Sequence, residues 1–109
     1  MTDSLHLKTC EPCLDGDLAL TKAAYSSLLL QLHHDWRIID EHHLTRRFIF
    51  KNFVDALAFV NKVGEIAEVN QHHPNITFTW GKVDIVIYTH KINGLRQADF
   101  VLAAKISRL

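Results

Sequence analysis

The sequence predicts an α+β fold, and three observations carry that expectation. Apolar residues recur at helical spacing in two separate segments, 21–32 and 53–67. The runs 44–50, 76–80 and 83–90 follow the two-residue period of half-buried strands. No repeat, low-complexity tract or Pro/Gly/Ser linker divides the 109 residues, so one domain with one core is expected. Residues 18–109 are read as that domain and residues 1–17 as a flexible leader.

The leader carries Cys10-Glu-Pro-Cys13 before any strong periodicity begins. A single CxxC lacks the strand-to-helix context of a thioredoxin-like motif, and no second CxxC supplies the other two ligands of a structural zinc. Two cysteines also cannot define a disulfide scaffold. The first helix starts at Thr21, a residue type that caps helices, with Leu20 and Tyr25 placed as a hydrophobic staple. Tyr25, Leu28, Leu29 and Leu32 form its stripe, and His33-His34 are expected at its C-terminus, where imidazoles suit the helix dipole.

Two strands follow, Trp36–Asp40 and Leu44–Phe50, joined by a turn holding Glu41, His42 and His43; this second histidine pair reads as part of a solvated loop. In the second strand Leu44, Arg46, Phe48 and Phe50 share one face. Asn52 caps the central helix, with Asp55 favouring its N-terminal dipole. Phe53, Ala56, Leu57, Val60, Val63, Gly64 and Ala67 give it a core face, and Pro74 bars its continuation, leaving His72 and His73 just past its end. Ile76–Trp80 and Val83–His90 form a hairpin whose loop is read as Gly81-Lys82, glycine being favoured at the first position of a type II′ turn. That register pairs Trp80 with Val83, Phe78 with Ile85 and Ile76 with Ile87, and sets His73 opposite His90. It also puts Ile76, Phe78, Trp80, Val83, Ile85 and Ile87 on one apolar face.

Charge and hydropathy exclude several functions. Twelve basic and twelve acidic residues cancel, without a long Lys/Arg run, so direct nucleic-acid binding is not expected. The first residues show no basic start followed by an apolar run and a cleavage site, and no apolar stretch approaches the ~20 residues that span a bilayer. A soluble, cytoplasmic protein without membrane partners is the expectation.

Eight histidines remain to be explained. His72, His73 and His90 gather at one strand end, His73 and His90 off the core face, with Glu68 about one helical turn before His72 and Asp99 in the last helix placed to tune them. Adjacent histidines on a strand point to opposite faces, a poor start for a three-ligand metal site. Acid/base work asks less of geometry, because imidazole titrates near neutrality and both gives and takes protons.

Glu68-x-x-x-His72-His73-Pro74-x-Ile76, then Thr89-His90, Gly94-Leu95 and Asp99-Phe100, resembles the signature of pterin-4a-carbinolamine dehydratases. Leu44-x-Arg46-x-Phe48-x-Phe50, the Ala56/Phe59/Val60 helix and Asp99-Phe100-Val101-Leu102-Ala103-x-x-Ile106 extend the resemblance over roughly residues 20–107. It implies a four-stranded antiparallel sheet with helices packed on one face. It implies dehydration of 4a-hydroxytetrahydropterin to quinonoid dihydropterin, recycling the pterin cofactor of aromatic amino acid hydroxylases, with no metal and no organic cofactor. The family's three histidines match His72, His73 and His90; His72 and His90 are assigned to proton transfer and His73 to positioning. Glu68, Pro74, Thr89 and Asp99 are the expected lining and supporting residues of a pterin site.

Two positions depart from the family pattern. Gln71 stands where many members carry an acidic residue, which removes a charge that raises imidazole pKa values and moves the expected pH optimum down. Arg96 stands where members often have a capping Thr or Ser, so the start of the last helix is expected to fray. The resemblance also implies a homodimer or homotetramer. A rival reading comes from animal members that serve as dimerisation cofactors of a homeodomain transcription factor: a non-catalytic binding module on the same fold. A histidine metal site is the third reading, open to metal analysis of the purified protein.

Overall fold

The computed structural model describes residues 4–109. Three helices, α1 (Lys22–Leu29), α2 (Phe53–Asn70) and α3 (Gln97–Ile106), combine with four strands, β1 (Arg37–Ile39), β2 (His43–Ile49), β3 (Asn75–Thr79) and β4 (Lys82–Ile87). Every strand pair is antiparallel and the order is β1-β2-β4-β3, so β4 returns between β2 and β3. The fold is the α+β arrangement expected. Among the described residues no helix is long and apolar enough to cross a membrane.

One sheet face builds the core. Leu44, Val83, Ile85 and Ile87 are completely buried and join Ala56, Phe59 and Val63 of α2 and Phe100, Val101, Leu102 and Ile106 of α3. Each fully buried Leu, Ile or Phe contributes about 1.5–3 kcal/mol of transfer free energy. Arg46 shares this face; its guanidinium lies over the Phe48 ring at 4.2 Å and donates to Ser107 Oγ (3.3 Å), so its stem packs while its charge finds partners. On the opposite face Arg47 reaches Asp84 across the β2–β4 pair at 2.7 Å.

The helix starts follow the sequence. Thr21 Oγ1 accepts from the Ala24 N–H (3.3 Å) and Asn52 Oδ1 from the Asp55 N–H (2.8 Å). The end of α1 differs from expectation. The helix stops at Leu29, and His33 and His34 stand beyond a turn, with His33 Nδ1 accepting from the Asp35 N–H (3.0 Å) rather than facing the last helical carbonyls.

The β1–β2 connection keeps its three residues but sits one residue earlier than read. Asp40 and Glu41 both lie in the left-handed region (φ 54°), the His42 N–H donates to the Ile39 carbonyl (2.9 Å), and His43 already belongs to β2. Two left-handed central residues are the hairpin turn that matches strand twist, and Glu is a costly occupant there. Glu41→Gly is expected to stabilise the protein by about 1 kcal/mol, seen as a rise in Tm of roughly 4 °C or more in a thermal melt.

The β3–β4 hairpin corrects the predicted register. Thr79 pairs with Lys82, Phe78 with Val83 and Ile76 with Ile85, so the loop is Trp80-Gly81. Neither loop residue has a positive φ. Gly81 serves a different purpose: the Phe50 N–H donates to its carbonyl at 2.7 Å, and a Cβ on Gly81 would sit 2.9 Å from the Phe50 oxygen. Shifting by two preserves the faces, so Ile76, Phe78, Val83, Ile85 and Ile87 still point inward while Trp80 is left exposed at the turn.

Residues of the leader lie along α3. Leu5 is part of the core, Lys105 Nζ donates to the His6 carbonyl (2.8 Å), and the half-buried Cys10 thiol approaches the Ala98 carbonyl (3.6 Å). Met1, Thr2 and Asp3 fall outside the described residues.

Candidate active site

The end of α2 sets the site. Gln71 takes the left-handed conformation (φ 52°); its N–H donates to the Glu68 carbonyl (3.3 Å) and the His72 N–H reaches back to the Ala67 carbonyl (3.2 Å), the Schellman pattern. This reversal turns the chain sharply at His72 and feeds it through His73 and Pro74 into β3.

His72 then meets the start of α3. Its Nε2 lies 2.6 Å from Asp99 Oδ1. Asp99 is completely buried, and its Oδ2 accepts from the Thr89 hydroxyl (2.9 Å) and the Arg96 N–H (2.7 Å). Three donors converge on one carboxylate, which satisfies the cost of burying it. An ionised carboxylate only accepts, so the proton between the pair belongs to His72 Nε2, leaving Nδ1 as the accepting nitrogen of the neutral ring. The same carboxylate closes the first turn of α3 in place of a capping hydroxyl, so this helix start is tied despite Arg96.

His73 Nε2 pairs with Glu68 Oε1 at 2.7 Å, both groups being largely exposed. His90 does not stand opposite His73: counting on from the Asn75–Val86 pair puts Tyr88 there, and His90 opens a short 3-10 turn, His90–Ile92, beyond β4. Among the described residues its imidazole has no hydrogen bond, and the Tyr88 ring lies edge-on at 4.4 Å. The three histidines nevertheless share the wall of one pocket of about 280 Å³, to which Thr89 also contributes. Glu68 and Pro74 stand outside that wall, Glu68 behind His73.

The sequence reading missed several lining residues: Gln71, Tyr88 and Arg96 from the domain, and Glu11, Pro12 and Cys13 from the leader. Tyr88 carries a signal in the alternation, since it shares the off-core face with the histidines. The leader residues carry none, because their placement depends on long-range contacts.

The second histidine pair is not a solvated loop. His42 and His43 are half-buried, their Nδ1 atoms lie 3.0 Å apart, and His42 Nε2 meets Asn93 Oδ1 (2.7 Å). An amide oxygen only accepts, so His42 carries its proton on Nε2 and accepts from His43 through Nδ1. Burial, and then the charge on His42, push the His43 pKa down. A histidine depressed on folding gives full stability above its unfolded value near 6.5, and stability falls as pH drops toward the folded value. His43→Asn is expected to flatten the fall in Tm between pH 7.5 and pH 5, measured by melts across that window.

Among the described residues, the ligand-type groups that gather within 4.8 Å of one another are His33, His34 and Asp35, all exposed and away from this pocket.

The sequence profile of the family described as pterin 4 alpha carbinolamine dehydratase matches residues 18–109. A provisionally named pterin-4-alpha-carbinolamine dehydratase of Rubrobacter xylanophilus is 51% identical over 102 residues, covering 94% of each chain. Another from Alkaliphilus metalliredigens is 44% identical over 106 residues, covering 97% of this chain and 96% of its own. Of solved structures, a transcriptional coactivator/pterin dehydratase from Brucella melitensis superposes with a TM-score of 0.77 at 31% identity, covering 83% of this chain and 96% of that one. A pterin dehydratase-like RuBisCO assembly factor of the alpha-carboxysome gives 0.59 at 27% identity over 70% of this chain and 89% of that one. With a family match over residues 18–109 and relatives of this identity over nearly the whole length, the chain belongs to the pterin 4 alpha carbinolamine dehydratase family.

Proposed function

We propose that the protein dehydrates 4a-hydroxytetrahydropterin to quinonoid dihydropterin and water, recycling in the cytoplasm the pterin used by aromatic amino acid hydroxylases. The observation that carries this reading is the pairing of His72 with the buried Asp99, which opens onto a pocket shared with His73 and His90. The reaction breaks the C4a–O bond. A proton must reach the leaving oxygen and another must leave a ring nitrogen, so that water departs and a C=N bond closes. Two imidazoles are suited to these transfers, each worth about 10²–10⁴-fold.

His72, with Nε2 held by Asp99, exchanges its proton at Nδ1; His90, whose imidazole has no hydrogen bond among the described residues, is the second transfer group. His73, tied to Glu68, positions the ring, while Thr89 and Asp99 hold His72 and Pro74 sets the entry of β3. No metal or organic cofactor is required, since proton transfer is the whole of the chemistry. The test is the decay of freshly generated 4a-hydroxytetrahydropterin followed by ultraviolet absorbance. Wild type is expected to accelerate it over buffer; decay at the buffer rate sinks the proposal.

A second reading, a binding module on the same fold, has support in the names of the two solved relatives, a coactivator and an assembly factor. A homodimer or homotetramer fits either reading. Val54, Leu57 and Trp80 expose apolar surface, and β3 leaves one edge of the sheet unpaired within the chain.

A further inference from the structure

We propose that the Glu11–Cys13 segment is a strap that completes the pterin pocket, and that Arg96 is the positioning residue that pins it there. The proposal rests on the dehydratase reading for the identity of the ligand; the strap itself stands on geometry. Glu11, Pro12 and Cys13 line the same pocket as His72, His73 and His90, although nearly 60 residues separate Cys13 from His72 along the chain. Their place there is held by the Arg96 guanidinium, which donates to the Glu11 carbonyl at 2.9 Å and to the Pro12 carbonyl at 3.4 Å. A planar fork serving two successive carbonyls fixes both position and direction of the backbone, which a single hydroxyl at this position does not do.

Anchors on both sides make the segment a strap rather than a free tail. Before it, Leu5 is locked in the core and the Cys10 thiol meets the Ala98 carbonyl (3.6 Å). After it, Lys91 Nζ meets Asp15 (2.6 Å), the Leu20 N–H donates to the Leu95 carbonyl (2.8 Å), and the chain passes so close to Gly94 that a Cβ there would lie 2.8 Å from the Ala19 Cβ. Between these anchors the chain crosses the mouth of the histidine site with no regular secondary structure at Glu11–Cys13, so its contact with Arg96 decides how it lies.

This accounts for arginine at the position where a capping Thr or Ser was expected. Asp99 already closes the first turn of α3 by accepting from the Arg96 N–H, so the side chain is released from capping and is used on the strap. A wall supplied this way adds contact area to one side of a flat pterin and keeps water from the imidazoles without contributing to proton transfer. Its loss therefore weakens substrate binding more than the chemical step.

The decisive variant is Arg96→Thr, which restores a capping hydroxyl and so holds the helix while removing the fork; Arg96→Lys keeps one donor. For Arg96→Thr the KM for 4a-hydroxytetrahydropterin is expected to rise about tenfold with kcat changed less than about twofold, and Arg96→Lys to recover part of the loss. In parallel, iodoacetamide alkylation of Cys13, located by fragment mass spectrometry, is expected to be slow in wild type, slower with 7,8-dihydropterin, and faster in Arg96→Thr. Equal KM and equal Cys13 alkylation in wild type and Arg96→Thr overturn the strap while the dehydratase reading stands. A wild type with no activity and no protection of Cys13 by dihydropterin overturns the dehydratase reading and the strap's assigned ligand together.

Discussion

Replacing His72 and His90 together by alanine is expected to remove the acceleration of 4a-hydroxytetrahydropterin decay while leaving the fold in place. Each imidazole working as a general acid or base contributes about 10²–10⁴-fold, so the double variant loses at least two orders of magnitude and approaches the buffer rate. The fold survives because neither ring belongs to the core: His90 is exposed, and His72 touches buried structure through one hydrogen bond. Far-ultraviolet circular dichroism and a thermal melt check that the variant is folded. His73→Ala separates roles. It removes an imidazole tied to the exposed Glu68, and is expected to raise KM more than it lowers kcat. Full activity in the double variant would move the chemistry away from these histidines altogether.

Asp99→Asn carries the second large effect, by a different route. The amide keeps the size of the carboxylate and one accepting oxygen, which serves the Thr89 hydroxyl and the Arg96 N–H at the present Oδ2 position. The other atom becomes an NH₂ donor facing His72 Nε2. His72 must then accept at Nε2 and carry its proton on Nδ1, the tautomer opposite to the one the carboxylate holds. Wrong-tautomer histidines of this kind lose activity by about 10³–10⁴-fold with geometry intact. Asp99→Ala goes further, stranding a hydroxyl, a backbone N–H and an imidazole in a dry corner, and is expected to cost about 3–5 kcal/mol of stability. Denaturant midpoints beside rates for the two variants distinguish orientation from support: Asn inactive but folded, Ala inactive and unstable. Asn retaining wild-type rate would mean that Asp99 supports the fold alone.

Much of this fold is legible in the sequence because its signals are local. Thr21 and Asn52 stand where caps are needed, the stripe from Ala56 to Ala67 keeps one helical period, and the alternation from Val83 to Ile87 assigns each side chain to a face. The register of the hairpin is not local. Gly81 looks like a turn former from its neighbours, whereas its small size serves Phe50, the residue just past the end of β2. The site divides in the same way. His72, His73 and His90 stand out through residue type and spacing, but the hydrogen bonds that organise them span 27 residues from His72 to Asp99 and 10 from Thr89 to Asp99. The wall contributed by Glu11, Pro12 and Cys13 has no local pattern at all, and only a packed α3 brings it to the histidines.

The Asp99 corner has a consequence for how such a chain can drift over generations. One carboxylate joins the end of β4 through Thr89, the start of α3 through Arg96 and the exit of α2 through His72. Under the proposed roles, substitutions at positions 72 and 90 silence the chemistry and leave the Thr89 and Arg96 ties of this junction in place. A substitution at position 99 unties it. A lineage that gives up turnover for a scaffolding role therefore has an open route through its imidazoles and a closed one through its aspartate, so an intact Asp99 beside altered histidines is the signature a retired enzyme of this architecture would leave.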